Sequence, residues 1–231
     1  MNVKVFSGGA VKGLVGALRS EFEKMTESSI DGDFSAVGGM RDRVLAGEPV
    51  DVVILTRSIV DDLVAKQHVQ ADTVVDVGLV ATCLAVRSGD PKPAIRDRAE
   101  LRSALLSADA IHMGDPERST GGIHFAGVLR KLGIEEQVRN HLHTFPNGVT
   151  AMTAMASSPA KQPIGCTQMT EVLGTDGVDL VAPLPPGYDL STTYTVGISA
   201  SAKNADAARV LAQLLTSPDK ETVRRAAGFA S

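Results

Sequence analysis

The sequence predicts an α/β fold of two lobes, each a mostly parallel sheet flanked by helices, and three observations carry that prediction. Short β-branched or aromatic runs alternate with helically spaced apolar residues along the whole 231-residue chain. Parallel neighbours need a crossover of about a dozen or more residues, which the intervening helices supply. About nine strands would make one very wide sheet, so two lobes of about four to five strands each are expected.

The first strand is Val3 to Phe6, and after Ser7-Gly8-Gly9 the residues Leu14, Leu18, Phe22 and Met25 recur at helical spacing. The unit repeats as Ile30 to Phe34, Gly38-Gly39 and a short helix through Met40, Val44 and Leu45. It repeats again as Val50 to Leu55, Thr56-Arg57 and a helix from Ser58 to Lys66. Val80 to Val86 is a nearly unbroken apolar strand, followed by a loop at Pro91 and Pro93 and a helix from Arg98 to Leu106. Ala110 to Met113 then runs into Gly114-Asp115-Pro116, Ser119-Thr120-Gly121-Gly122 and a helix carrying Phe125, Val128, Leu129 and Leu132. Further strands are expected at His141 to Phe145, Ile164 to Thr167 and Leu180 to Val181, with helices from Gly148 and over Met169 to Leu173. The breaker cluster Pro183 to Gly187 precedes the strand Tyr194 to Ile198, and the tail is helical through Val210, Leu211, Leu214 and Leu215, with Pro218 opening a last helix. The natural crossings between lobes are Val77 to Ala81 and Pro185 to Thr192, giving a discontinuous lobe of residues 1–78 plus 190–231 and a middle lobe of 79–189.

Composition excludes several functions. The 23 Lys and Arg against 27 Asp and Glu leave a net charge of −4, aromatics are 3% and Trp is absent, so the chain lacks the basic face and stacking rings of a nucleic-acid binder. No apolar run reaches the roughly 18 to 20 residues that span a bilayer, so no membrane insertion is expected. Met1 leads straight into the first strand without a signal peptide, which makes the chain as it stands cytoplasmic, or periplasmic if a signal peptide was trimmed. Cys83 and Cys166 are too few for a disulfide framework. The five histidines form no HExxH and no Cys/His pairing. His141 and His143 share a strand face without a carboxylate companion, so no metal and no cofactor is expected. Gly8-Gly9-Ala10-Val11-Lys12 lacks the ending of a P-loop and GxSxG is absent, which removes nucleotide and serine hydrolase motifs.

The informative pattern is the set of Gly-Gly doublets at Gly8-Gly9, Gly38-Gly39 and Gly121-Gly122, each between a strand end and a helix start, with Asn147-Gly148 as a fourth loop of this kind. Ligands of open α/β sheets bind beyond the carboxyl ends of the strands, where helix N-termini present N–H groups and a positive dipole end. Ser7, Ser35, Thr56, Ser119, Thr120 and Thr167 add hydroxyls to the same loops. A small anionic ligand fits that chemistry. Glycine is also common in such turns for purely structural reasons. Arg57 is the better candidate for a carboxylate clamp, Lys12 the weaker. Cys166 ends a strand in the same layer.

Val5-Phe6-Ser7-Gly8-Gly9-Ala10, Phe34-Ser35-Ala36-Val37-Gly38-Gly39, Pro49 to Ile54, Met113-Gly114-Asp115-Pro116 and Leu214 to Pro218 together resemble the molybdate-binding protein family of ABC importers, over nearly the whole chain and in the same order. The resemblance implies the type II periplasmic-binding-protein fold and, for an exported chain, an ABC permease as partner. It also implies an oxyanion held by a serine in the first loop, a serine in the second, backbone groups of later loops and often a tyrosine. Ala10, Val37 and Cys166 stand at the matching positions. Without those hydroxyls the site is poorly suited to a tetrahedral oxyanion. Backbone donors near Ala10, Val37 and Val149 are expected to remain. The expected guest is therefore a planar, larger organic anion, a di- or tricarboxylate held between the lobes. Aconitate isomerases resemble the same family in fold and open a second reading, a cytosolic isomerase of an unsaturated tricarboxylate. That reaction needs a base and anion clamps only, and Lys12 and His124 are its candidate catalytic residues.

Overall fold

The computed structural model describes residues 1–230. The order is β1 (Asn2–Gly8), α1 (Lys12–Thr26), β2 (Ser29–Ser35), α2 (Val37–Leu45), β3 (Val52–Thr56), α3 (Arg57–Ala65), β4 (Val75–Arg87), α4 (Arg98–Ser107) and β5 (Ala110–Gly114). It continues with α5 (Thr120–Leu132), α6 (Glu135–Val138), β6 (Leu142–Phe145), α7 (Gly148–Ala156), β7 (Pro163–Gln168), α8 (Met169–Leu173), β8 (Val178–Pro183), β9 (Ser191–Ile198), α9 (Ala205–Thr216) and α10 (Glu221–Ala226). The chain divides into two compact units, Met1–Val80 with Thr192–Ser231, and Ala81–Ser191.

In the first unit the strand order is β2, β1, β3, β9, β4. β1 pairs in parallel with both β2 and β3, and β9 runs antiparallel to β3. α1 buries Leu14, Val15, Leu18 and Phe22 at helical spacing and packs against α9, which buries Leu211, Leu214 and Leu215. β3 is buried at every residue, the signature of a strand covered on both faces. The last described residue is held as well: Leu79 and Ala230 exchange backbone bonds of 3.0 and 2.8 Å.

In the second unit the order is β8, β4, β7, β5, β6, with β5 parallel to β6 and β7, and β4 antiparallel to β7 and β8. The sheets are thus mixed, with a parallel triplet at one end of each strand order. Alternation along β4 divides the core of this unit. Leu84 and Val86 join Phe125, Leu129, Leu101 and Leu105 on one face. Cys83 and Ala85 join Ala151, Met152, Met155 and Val172 on the other. Among the described residues no helix is long and apolar enough to cross a membrane.

Asp51 ties the first unit together. Its buried carboxylate accepts from the backbone N–H groups of Lys4 (2.8 Å), Lys203 (2.7 Å) and Asn204 (3.0 Å), joining the edge of β1 to the start of α9. Burial pushes its pKa up, but the N–H donors of Lys4, Asn204 and Lys203 outweigh that and hold it below the usual carboxylate value. Asp51→Ala is expected to cost about 3 kcal/mol, measured as a fall of roughly 6 to 12 °C in Tm. This contribution is present above the ordinary Asp pKa and is lost as pH falls through the lower folded value, so the difference from wild type should shrink in strong acid.

Candidate functional site

Parallel pairing lines up the carboxyl ends of three strands in each unit. In the first unit Gly8 pairs with Ser35 and Ser7 with Ile54, so β1, β2 and β3 all deliver their following helices to one sheet edge. The residues before these helices are extended: Gly8 before a short 3-10 turn (Gly9–Val11), Ala36 before α2 and Thr56 before α3. None of the three caps its helix through a side chain. The edge therefore presents backbone N–H groups and positive dipole ends without a capping oxygen from the preceding residue.

Ser7, Gly8, Gly9, Ala10 and Val37 are buried in this layer and Gly38 is half-buried beside Val37. The Ser7 hydroxyl donates to the Gly8 carbonyl at 3.0 Å. Tyr194, on β9 opposite Thr56, completes the layer. A Cβ on Gly8 would come within 2.9 Å of both the Tyr194 ring and Val37 Cγ1, so glycine is what lets the ring and the second loop close on β1. The layer does not include a free cation from Arg57. Its guanidinium is half-exposed and paired with Asp61 (2.9 Å) and Asp76 (3.2 Å). Lys12 is exposed at the start of α1.

In the second unit β5, β6 and β7 present Gly114, Phe145 and Gln168 at their carboxyl ends. Here two of the three helix starts, those of α5 and α7, are capped by a side chain, and α8 after Gln168 is not. Ser119 Oγ accepts from Gly122 N–H at 3.2 Å, and Asn147 Oδ1 accepts from Thr150 N–H at 2.9 Å. Buried Ser119 and half-buried Thr120 and Asn147 lie in these loops, and a Cβ on Gly121 would be 3.3 Å from Thr167 Oγ1. The candidates Ser119, Gly121, Asn147 and Thr167 are thus brought into one cluster.

Glu171, in α8, is one of the residues that the sequence alone does not single out. Its carboxyl is buried, accepts from Thr167 Oγ1, and takes the backbone N–H groups of Gln168 and Val149. A side chain on Gly148 would fall on the space held by Thr167 Oγ1 and the Glu171 carboxyl. The Val149 donor is therefore already engaged by the protein's own acid. Burial raises the Glu171 pKa to about 7, against the lowering effect of Thr167 and the two N–H groups. Tyr194 was missed in the same way, since it read only as a strand residue. A signal existed in both cases: one acid among Met169, Val172 and Leu173, and one of only two tyrosines in the chain.

His124 is half-buried, and its Nε2 donates to the Tyr188 carbonyl at 2.7 Å. Cys166 is buried in the apolar core of the second unit, and burial holds its thiol protonated. His141 precedes β6 rather than sharing its face with His143. His143 instead stacks on His112 with ring centres 5.2 Å apart. No group of three or more His, Cys, Asp or Glu side chains suited to a metal ion occurs among the described residues.

Glu171 has a measurable signature. Its ordinary pKa is 4.5, so between about pH 4.5 and pH 7 the unfolded chain loses this proton before the folded chain does. Stability should therefore fall through that window by about 3 kcal/mol. Glu171→Gln is expected to flatten that slope in denaturant midpoints taken at pH 5 and pH 7.5. A wild-type-to-variant difference that is the same at both pH values would contradict it.

Comparison with known proteins agrees with this architecture. Residues 3–230 match the family model described as bacterial extracellular solute-binding protein. An aconitate isomerase from a Pseudomonas species is 28% identical over 224 residues, covering 93% of this chain and 82% of that protein. The periplasmic molybdate-binding protein of Azotobacter vinelandii superposes with a TM-score of 0.80 at 16% identity, over 99% of both chains. The sulfate-binding protein SubI of Mycobacterium tuberculosis gives a TM-score of 0.77 at 18% identity, over 99% of this chain and 86% of its own. The expected likeness to molybdate-binding proteins is therefore present in the fold, and the chain belongs to the bacterial extracellular solute-binding protein family.

Proposed function

We propose that this solute-binding protein takes a small organic anion, a di- or tricarboxylate rather than molybdate, and that the strand-end layer of each unit contributes to its recognition. The observation that carries the reading is the first unit's edge, where three helices start without a side-chain cap while Ala10 and Val37 present no hydroxyl. Backbone N–H groups suit a carboxylate, whose oxygens are acceptors only. A compact tetrahedral oxyanion, by contrast, depends on short side-chain donors that converge on every oxygen. Each bond from an N–H to a charged group contributes about 1.5 to 3 kcal/mol, so four to six of them support roughly micromolar affinity after association costs. In an extracytoplasmic setting, an ABC permease is the partner that receives the ligand.

A second reading, isomerisation of an unsaturated tricarboxylate, is favoured by the 28% identity to an aconitate isomerase. It requires a base that removes a proton beside a carboxylate and returns one elsewhere. Lys12 and His124 remain its candidates, with Lys12 the more accessible and His124 holding only Nδ1 uncommitted.

Both readings are tested in one experiment with cis- and trans-aconitate, following thermal unfolding and interconversion by NMR. At about a thousandfold excess over Kd a ligand stabilises by about 4 kcal/mol, so Tm should rise by roughly 8 to 16 °C. A rise without interconversion supports the binder. Turnover that is lost in Lys12→Ala or His124→Ala supports the isomerase. Stabilisation by molybdate or sulfate in preference to every organic acid would overturn both.

A further inference from the structure

The buried polar groups at the end of β7 carry information that the anion alone does not use. Thr82 in β4 and Gln168 at the end of β7 lie directly opposite each other, and each is 1% exposed. Thr82 turns both its backbone groups away from β7: its N–H donates to the Leu190 carbonyl, and its carbonyl accepts from Leu184 N–H. The Thr82–Gln168 pair is therefore of the non-hydrogen-bonded kind, in which facing side chains approach most closely. Even so, Thr82 Oγ1 and both amide atoms of Gln168 lack a partner in the protein, as does Thr170 Oγ1 in the first turn of α8. Native proteins leave few buried polar atoms unsatisfied, and here four fall on three residues at one strand end. The cluster adjoins the candidate layer: a Cβ on Gly121, in the first turn of α5, would lie 3.6 Å from Gln168 N.

We propose that Gln168, assisted by Thr82, determines ligand specificity, and that the ligand class is a hydroxy acid, a small carboxylate that also carries a hydroxyl group. The inference rests on the small-organic-anion reading above. An amide is both donor and acceptor: Nε2 donates to a carboxylate oxygen, whereas Oε1 needs a donor from the guest. Molybdate, sulfate and a fully ionised polycarboxylate offer acceptors only, and would leave Oε1 buried and unpaired. A hydroxyl supplies the missing donor, and the Thr82 hydroxyl can bond to either group. Sites built to pair a ligand hydroxyl reject the analogue that lacks it, because their own polar atoms are then stranded.

The test uses acids that differ by one hydroxyl, malate against succinate and citrate against tricarballylate, titrated calorimetrically into wild type, Gln168→Met and Thr82→Val. Wild type is expected to prefer the hydroxylated member of at least one pair by about tenfold or more. Gln168→Met should reduce that preference to within about twofold, with affinity for the hydroxylated member falling further than affinity for the other, and Thr82→Val should reduce it partially. Equal binding of both members by wild type overturns the proposal. So does a preference that survives both substitutions, even if their Tm values change, since the cluster would then serve stability alone. If Gln168→Met does not fold, Thr82→Val decides by the same criterion. Binding of none of the four acids overturns the organic-anion reading as well, which separates that failure from the loss of hydroxyl preference.

Discussion

Chain direction is the constraint on which the rest depends. A central strand with a parallel neighbour on each side, β1 in the first unit and β5 in the second, obliges each chain segment to return over the sheet before the next strand begins. Three carboxyl ends then share an edge, and three helices start there whatever their sequences. Peptide dipoles and unpaired N–H groups accumulate at that edge as a by-product of topology. What evolution can vary is how those groups are satisfied.

The two units vary it in opposite ways. In the first, Gly8, Ala36 and Thr56 precede helices without capping them by a side chain. In the second, Ser119 and Asn147 cap their own helices, and Glu171 lays a carboxyl across the start of α7. One edge leaves backbone donors to be answered from elsewhere. The other is largely answered from within, and keeps its unanswered atoms on Thr82, Gln168 and Thr170. The first arrangement offers donors, which suit negative charge. The second offers donors and acceptors together, on an amide and two hydroxyls.

Most of the fold was legible because apolar periodicity is local. Leu14, Leu18 and Phe22 announce α1, and Ala110 to Met113 announces β5, without reference to anything distant in sequence. The start of β4 was not legible. The strand was expected from Val80 but begins at Val75, where Val75 and Asp76 are exposed and carry no core-facing rhythm. β8 extends over six residues rather than two because it is half-buried along most of its length, which blurs the alternation. At the site, the loops could be named from glycine doublets, whereas Glu171, Gln168 and Tyr194 could not. Their importance arises from neighbours brought by pairing: Gly148 and Thr167 around the acid, Thr82 facing the amide, Gly8 and Val37 beneath the ring.

The discontinuity of the first unit has a consequence for synthesis. β9 is inserted between β3 and β4, and Ala230 bonds to Leu79, so residues 1–80 lack a strand and a closing bridge until residues 191–230 have been synthesised. Residues 81–191 are contiguous and have all their own strands from β5 to β8 by then. Domains generally fold as units as the chain emerges. Here residues 1–80 are made before residues 81–191 yet completed after them, and during that interval β3 and the early part of β4 expose unpaired strand edges.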